Sequence, residues 1–481
     1  MADVNVSEHS HPVSGSWRAA FSGPVGTYML TINLGVLLVA MDTFVVSGIM
    51  PSIVADIGGV RLYSWTFALF AVGSVMGAGS AGPLRAIFGA RTAYAGAGAL
   101  FLVGLIAAAF APNMEFLVLM RLIQGIGGGA VASMAFGMIG VLIPPELRGR
   151  AVALIGMVWG LATVLGPAFG GAFAQYHLWR GAFWGLAAMT LVFTIFAWRI
   201  TPQTEGHGRL SAIPYRRLLM LGGAVLALSF TSQTDDFSHR LALFAAALAL
   251  SIWAFWRDAH ASAPMFPRQA MNLMSEMGAL HWIVALSAVT TVFAQSFVSL
   301  HLQVLRGLDP IYASYFLVVL SLAWSVSSVM VSHLKPHQEI RALIIGLSIA
   351  LVGSIGAGLT VADGALLLFG LFMAVIGFGI GMTTPPIVQR ATRIAIPQEK
   401  ALAGSSIHAV RNVGISFGAA AAGWIAVAAG LTSNTMSHDV VARAMTWIYE
   451  GNIVVSMATL LATIPLALAA RAEVTVTPTG V

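Results

Sequence analysis

Residues 121–171 read RLIQGIGGGAVASMAFGMIGVLIPPELRGRAVALIGMVWGLATVLGPAFGG. Two apolar runs flank a turn that holds Pro144, Pro145, Arg148 and Arg150, and each run is long enough to cross a bilayer as a helix. The unit is a membrane hairpin. A weaker copy follows about 252 residues later: Gly125 and Gly127 correspond to Gly377 and Gly379, the IPPE at Ile143 to the IPQE at Ile396, and Gly170 to Gly423. The chain is a duplication.

The rest of the composition agrees. Of 481 residues 58% are hydrophobic and 9% charged, which leaves too little polar surface to coat a soluble globule of this size. Apolar segments of spanning length fall near 26–54, 63–82, 92–111, 115–143, 150–174 and 179–199, then 216–234 and 240–257, then 278–299, 312–332, 341–361, 364–388, 401–429 and 446–470. The expected fold is an all-α polytopic membrane protein of fourteen transmembrane helices: a six-helix repeat over 26–199, linkers and an inserted helix pair over 200–277, and a second six-helix repeat over 278–470. Tails over 1–25 and 471–481 flank them. The first tail is polar and holds no signal-peptide core.

With an even number of spans, 17 of the 24 basic residues fall on the side of the termini, five on the other side, and Arg121 and Arg411 within spans. The positive-inside rule then predicts cytoplasmic termini and a cytoplasmic loop at 201–215. The same bias accounts for the net charge of +6 without nucleic acid as a partner. Cysteine is absent, so disulfides, thiolate nucleophiles and Cys-based metal sites are excluded. No nucleophile and base pair, zinc motif or ATPase motif is present, so neither an enzyme nor an ATP-driven pump is expected, and no cofactor. The glycines 377, 379 and 381 with Pro385 and Pro386 predict a broken helix rather than a phosphate loop.

Two six-helix repeats in parallel arrangement, with sites at their interface near the midplane, describe the major facilitator architecture. The motifs also resemble that superfamily, and within it the fourteen-helix drug:proton antiporters of the EmrB/QacA type. Gly160, Gly166, Pro167, Gly170 and Gly171, preceded by Gly156, look like the antiporter motif of the fifth helix. Arg121, Gln124, Gly125 and Gly127 resemble RxxQGxG of the fourth. Residues 38–51, with Asp42 nine residues before Pro51, resemble LDxTIVNVALP of the first. Further matches are Trp179, Arg180 and Phe183; Leu302, Gln303, Gly307 and Pro310; and Arg411 with Gly414 and Gly418. The loop motif GxLADRxGRR is degenerate: Gly82, Arg85, Gly89 and Arg91 remain, but Ala86 stands where the family has aspartate, which puts the usual cytoplasmic latch in doubt. Phe44 and Ser47 replace the family's Thr and Asn.

Intramembrane charge carries the chemistry, because a charged side chain at a helix centre costs roughly 2.5–3.5 kcal/mol even on lenient scales. Asp42 is the only acidic residue read in the middle of a span, and burial penalises its charged form, so it can exchange a proton or meet a cationic substrate. The alternative is a carboxylate that only ties helices together. Arg121, three residues from Gln124 on one helical face, can set that carboxylate's charge or can be structural. Arg411 and Asn412 lie nearer the cytoplasmic end, where snorkelling is the alternative. The fifth-helix glycines open a groove for a close partner helix and Pro167 bends it, which suits a hinge between the repeats. His281, His301 and His408 have no metal-ligand spacing, Asp235 and Asp236 are read as solvated, and the Trp and Met residues as core or lipid-facing.

The function expected is proton-coupled efflux of amphipathic or cationic small molecules across the bacterial cytoplasmic (inner) membrane. Partners are the substrate, protons and the bilayer, with room for a periplasmic adaptor protein. Two alternatives stay open: export of one endogenous metabolite or anion, and a transporter-like sensor that binds without translocating.

Overall fold

The structure is a computed structural model that describes residues 17–59, 62–206, 214–231, 236–262, 264–308, 310–431 and 437–468. Most of the two tails, together with Arg61, Arg209, Asp235 and Arg471, lies outside the described residues. Regular structure among them is helical throughout. After a short α1 (Trp17–Ala20) come α2 (Gly23–Ile57), α3 (Tyr63–Ala109), α4 (Met114–Leu142), α5 (Pro145–Gln175) and α6 (Trp179–Ile200). The inserted pair is α7 (Tyr215–Phe230) and α8 (Phe237–Ala259). The second half holds α9 (Glu276–Gln295), α10 (Val298–Arg306), α11 (Pro310–Met330), α12 (Glu339–Thr360), α13 (Leu366–Gly381), α14 (Thr384–Ile394), α15 (Lys400–Ala428) and α16 (His438–Leu461). Eleven segments among the described residues are long and apolar enough to cross a membrane.

The opening hairpin shows how local chemistry sets the ends. Asn113 caps α4 by accepting from Phe116 N at 2.9 Å, with Glu115 in the positively polarised first turn. Pro144 cannot continue the ladder and stops α4, whereas Pro145 suits the first turn of α5, where its missing N–H has no helical partner. Arg148 then donates to the freed carbonyls of Ile143 (3.1 Å) and Gly140 (3.0 Å). The basic turn is therefore a helix cap as well as a surface charge.

α3 is two limbs that meet at Gly89, whose φ of +79° belongs to the left-handed side that glycine tolerates. A Cβ there would also strike the Thr204 carbonyl. Both limbs flank one stretch of α4: Gly125 faces Phe70 and Ser74 on the first limb, and Gly127 faces Phe101 on the second. Two of the matched glycines act alike in the second half, where Gly377 abuts Leu320 of α11 and Gly379 abuts Gly346 and Ala350 of α12, whereas a Cβ on Gly423, the counterpart of Gly170, would meet nothing within 4 Å. Close backbone approach at equivalent places is thus built into both repeats. The counterpart of α4 is interrupted between α13 and α14, just before Pro385 and Pro386.

Apolar side chains cover the outside as well as the core. Leu359 and Leu367 are 80% and 84% exposed, an arrangement that suits lipid rather than water. The inserted pair sits beside the bundle. α7 packs on α3 through Trp65 and Phe230, and α8 meets α15 through Phe244 with Phe417 and Trp424. Helices overrun the apolar segments read from sequence. α16 begins at His438, so Glu450 lies twelve residues along it, farther into a helix than hydropathy alone indicated.

Candidate functional site

Asp42 and Arg121 form an ion pair inside the first repeat. Arg121 NH1 lies 2.7 Å from Asp42 Oδ2, and neither side chain is more than 1% exposed. The guanidinium also donates to Gln124 Oε1 at 2.6 Å and to the Thr66 carbonyl at 3.3 Å, and it lies 4.2 Å from the centre of the Phe70 ring. Gln124 passes the network on to the Gly104 carbonyl at 3.0 Å. The i, i+3 spacing of Arg121 and Gln124 makes this possible, since both project from one face of α4. The network joins α2, both limbs of α3, and α4. One carboxylate oxygen, Asp42 Oδ1, is buried without a partner. Asp42 is thus sealed by its arginine and does not border open space.

The α5 motif divides in two. Gly156 and Gly160 face α11 of the other repeat: Ser325 donates its hydroxyl to the Gly156 carbonyl at 2.8 Å, and a Cβ on Gly160 would lie 2.7 Å from that same hydroxyl oxygen. Gly166 and Gly170 instead pack on Phe44 and Val45 of α2, inside their own repeat, and a Cβ on Gly171 would meet nothing within 4 Å. The expected contact between repeats therefore involves only the first part of the motif. At about 100° per residue Gly166 points about 120° away from Gly160, and Gly170 lies more than two turns farther along the helix than Gly160, so the two parts of the motif meet different neighbours.

The repeats also meet where Ser133 donates to the Ser405 carbonyl (2.7 Å), where Asn412 Nδ2 donates to Ser74 Oγ (3.0 Å), and where Gly404 approaches the Phe136 carbonyl. Gly82 of the loop motif faces Leu402 of α15. These contacts lie between the middle of the bundle and the end at which α2, α5 and α15 begin. At that same end Arg91 donates to the Thr201 carbonyl (2.9 Å) and to Gln203 Oε1 (3.2 Å), and Ala90 N donates to Thr204. The loop is thereby tied to the exit of α6. Arg85 is half-buried beside it, and Ala86 is exposed.

Arg411 is the other intramembrane arginine, and it does not snorkel. Its guanidinium lies 4.7 Å from the ring centre of Trp324 and 5.6 Å from that of Trp159, one tryptophan from each repeat. It borders a cavity of about 40 Å³, shared with His408, Ser287, Thr291, Trp324 and Phe136. His408 stacks on Phe136 with ring centres 5.8 Å apart and lies 3.3 Å from Asn412 Nδ2. The other two histidines are packed away: His281 bonds Ser406 and the Met277 carbonyl, and His301 bonds the Val361 carbonyl.

A family profile described as Major Facilitator Superfamily matches residues 32–419, most of the chain. The chain belongs to the major facilitator superfamily. A probable multidrug-efflux transporter of Mycobacterium tuberculosis is 32% identical over 429 residues, covering 85% of this chain and 89% of that protein. Multidrug resistance protein 3 of Bacillus subtilis is 26% identical, covering 81% and 77%. Two solved structures share the fold at 16% identity. The human organic anion transporter has a TM-score of 0.68, covering 91% of this chain and 100% of its own, and a proton:xylose symporter has 0.61, covering 90% and 94%. As a member of the superfamily this chain is a multi-pass membrane transporter of small molecules, not an enzyme.

Reading the sequence passed over Trp159, Trp324, Ser287 and Ser325, because serines and tryptophans within apolar runs look like ordinary packing. The one available signal was position: Trp159 adjoins Gly160 of the α5 motif, and Trp324 precedes Ser325 and Ser328 on the helix that faces it.

Proposed function

We propose that this chain is a proton-coupled exporter of amphipathic small molecules in the cytoplasmic membrane of a bacterium, with Asp42 as the proton carrier. The observation that carries the reading is the sealed Asp42–Arg121 pair, a buried carboxylate with one oxygen still unpartnered. A proton on the unpartnered Oδ1 and the guanidinium at 2.7 Å from Oδ2 compete to neutralise one carboxylate, so any shift of α2 against α4 changes the cost of protonation. The names of the mycobacterial and Bacillus relatives support multidrug efflux as the direction of transport.

The contacts between repeats support a conformation closed at the end where α2 begins. The arginine bias makes that end cytoplasmic, with both termini there. Gly156 and Gly160 act in this account as the seal, and Gly166, Pro167, Gly170 and Gly171 as the bend that lets the outer part of α5 follow α2. Fourteen spans remain the preferred count. The 45-residue segment 65–109 is doubled at Gly89, and α7 (16 residues) and α11 (21 residues, its apolar stretch shorter) add two crossings to the eleven. On that count the repeats are 26–199 and 278–470 with the pair between them, the organisation of the EmrB/QacA-type branch, and α7 and α8 are peripheral to transport.

Reconstitution tests the function. Proteoliposomes holding the protein accumulate a fluorescent amphipathic dye when a pH gradient is imposed and release it when the gradient is collapsed. Dye movement indifferent to the gradient contradicts proton coupling, and dye binding without flux makes the chain a sensor.

A further inference from the structure

The cavity beside Arg411 is lined by donors and holds no anionic acceptor, since Ser287, Thr291, Thr383 and Thr384 bring only neutral hydroxyl oxygens. A guanidinium carries five N–H groups and no lone pair, and an indole Nε1 only donates. Trp324 Nε1, Ser287 Oγ and His408 Nδ1 are all buried without a hydrogen-bond partner, and all three residues border this one space. The Arg411 guanidinium faces the two tryptophan rings, and no carboxylate is among the residues that line the cavity. The carboxylate nearest in role, Asp42, is taken by Arg121 in the other repeat. Buried donors left without partners beside a cation that has no counter-anion are unfavourable unless something else supplies the acceptor.

We propose that this cavity binds the carboxylate of an amphipathic aromatic substrate, with Arg411, Trp324 Nε1 and Ser287 Oγ donating to its oxygens and the Trp159 and Trp324 rings bordering its apolar body. The size fits the polar head alone. About 40 Å³ admits a carboxylate or a water or two, whereas drug-sized ligands occupy several hundred. In this proposal the body lies outside the cavity, against Trp159, whose ring centre is 5.6 Å from the guanidinium. His408 is held beside the site by Phe136 and Asn412 and has one further nitrogen free to donate. This assigns a substrate class to the export reading and rests on it, and it points away from the simple cations expected from Asp42.

The test compares pyrenebutyrate, its methyl ester and pyrenemethylamine, which share one aromatic body and differ in charge. Binding to the purified protein is read by energy transfer from tryptophan to pyrene, and uptake in proteoliposomes under a pH gradient. The wild type is expected to bind the carboxylate at least tenfold more tightly than the ester or the amine. Arg411→Gln is expected to lower carboxylate affinity at least tenfold and ester affinity much less, and Arg411→Lys to restore part of it. Trp324→Phe keeps a ring but removes the indole N–H, so it is expected to cost the carboxylate a few-fold with little change for the ester. Equal binding of the three probes, preference for the amine, or no carboxylate binding by folded wild type overturns the proposal. So does full competition by acetate or chloride, which would make the cavity a site for small anions. The two readings fail separately. Selective carboxylate binding without gradient-driven uptake keeps the site and removes export, whereas gradient-driven uptake of all three, indifferent to Arg411, keeps export and removes the site.

Discussion

Asp42 and Arg121 meet at 2.7 Å in the interior of the first repeat and hold α2 to α4. Removing one partner of such a buried pair leaves an uncompensated charge and costs about 3–5 kcal/mol, whereas removing both often costs little. Arg121→Ala is therefore expected to lower the melting temperature in detergent sharply. Asp42→Asn should lower it less, because the amide oxygen still accepts from NH1. The combination Asp42→Asn with Arg121→Ala is expected to regain part of the loss caused by Arg121→Ala. Strictly additive effects would contradict the pairing.

A hypothetical Cβ at Gly156 lies 3.6 Å from the Cβ of Ser328, within the span of a disulfide. The chain has no cysteine of its own, so the pair Gly156→Cys and Ser328→Cys can be oxidised without background. Oxidation is expected to lock α5 to α11 and stop transport, and reductant to restore it. A cross-linked protein that still transports at the wild-type rate would show that this contact does not open during the cycle.

At the far end of the bundle, Arg180 lies 2.5 Å from Asp56 Oδ2 and Trp179 Nε1 lies 3.1 Å from it. These hydrogen bonds, that of Arg180 foremost, hold the Asp56 carboxyl below the usual carboxylate range. A lowered folded-state value stabilises above the ordinary Asp range, near pH 4, and is lost only as pH falls through the lowered value. Asp56→Ala is thus expected to shift the melting temperature slightly and equally at pH 6 and pH 8, the difference vanishing in strong acid. A mutational effect that differs between pH 6 and pH 8 would contradict this assignment.

Topology is open to a labelling test at 201–206, which follows α6. Gly206 is a poor site for a probe, since a Cβ there would strike the Ile87 carbonyl. Glu205 is exposed. A single cysteine at Glu205→Cys is expected to resist an impermeant maleimide in intact cells and to react after permeabilisation. Efficient labelling of intact cells would invert the orientation.

Much of the architecture was legible because two codes were redundant. Hydropathy marked the apolar runs, and glycine spacing marked two pairs of matching positions but not a third, since Gly170 packs on Val45 and a Cβ on Gly423 would meet nothing within 4 Å. Gly125 with Gly377 and Gly127 with Gly379 sit in matching close approaches. Azimuth was not legible, because a nearly uniform apolar helix does not declare which face meets lipid, its own repeat or the other one. Gly160 and Gly166 thus looked alike in sequence, yet one faces Ser325 and the other Phe44. The cavity was hidden for the same reason, since Arg411 acquires its setting from Trp159 and Trp324, which are far away along the chain.

In the proposed cycle Asp42 carries the coupled proton. Proteoliposomes loaded with a pH-sensitive dye and given substrate under an imposed gradient report proton and substrate movement together, for wild type and Asp42→Asn. Coupled movement is expected of the wild type, and of Asp42→Asn downhill exchange of substrate with neither proton movement nor uphill accumulation. Undiminished gradient-driven accumulation by Asp42→Asn would contradict that cycle and leave the buried pair a purely structural tie.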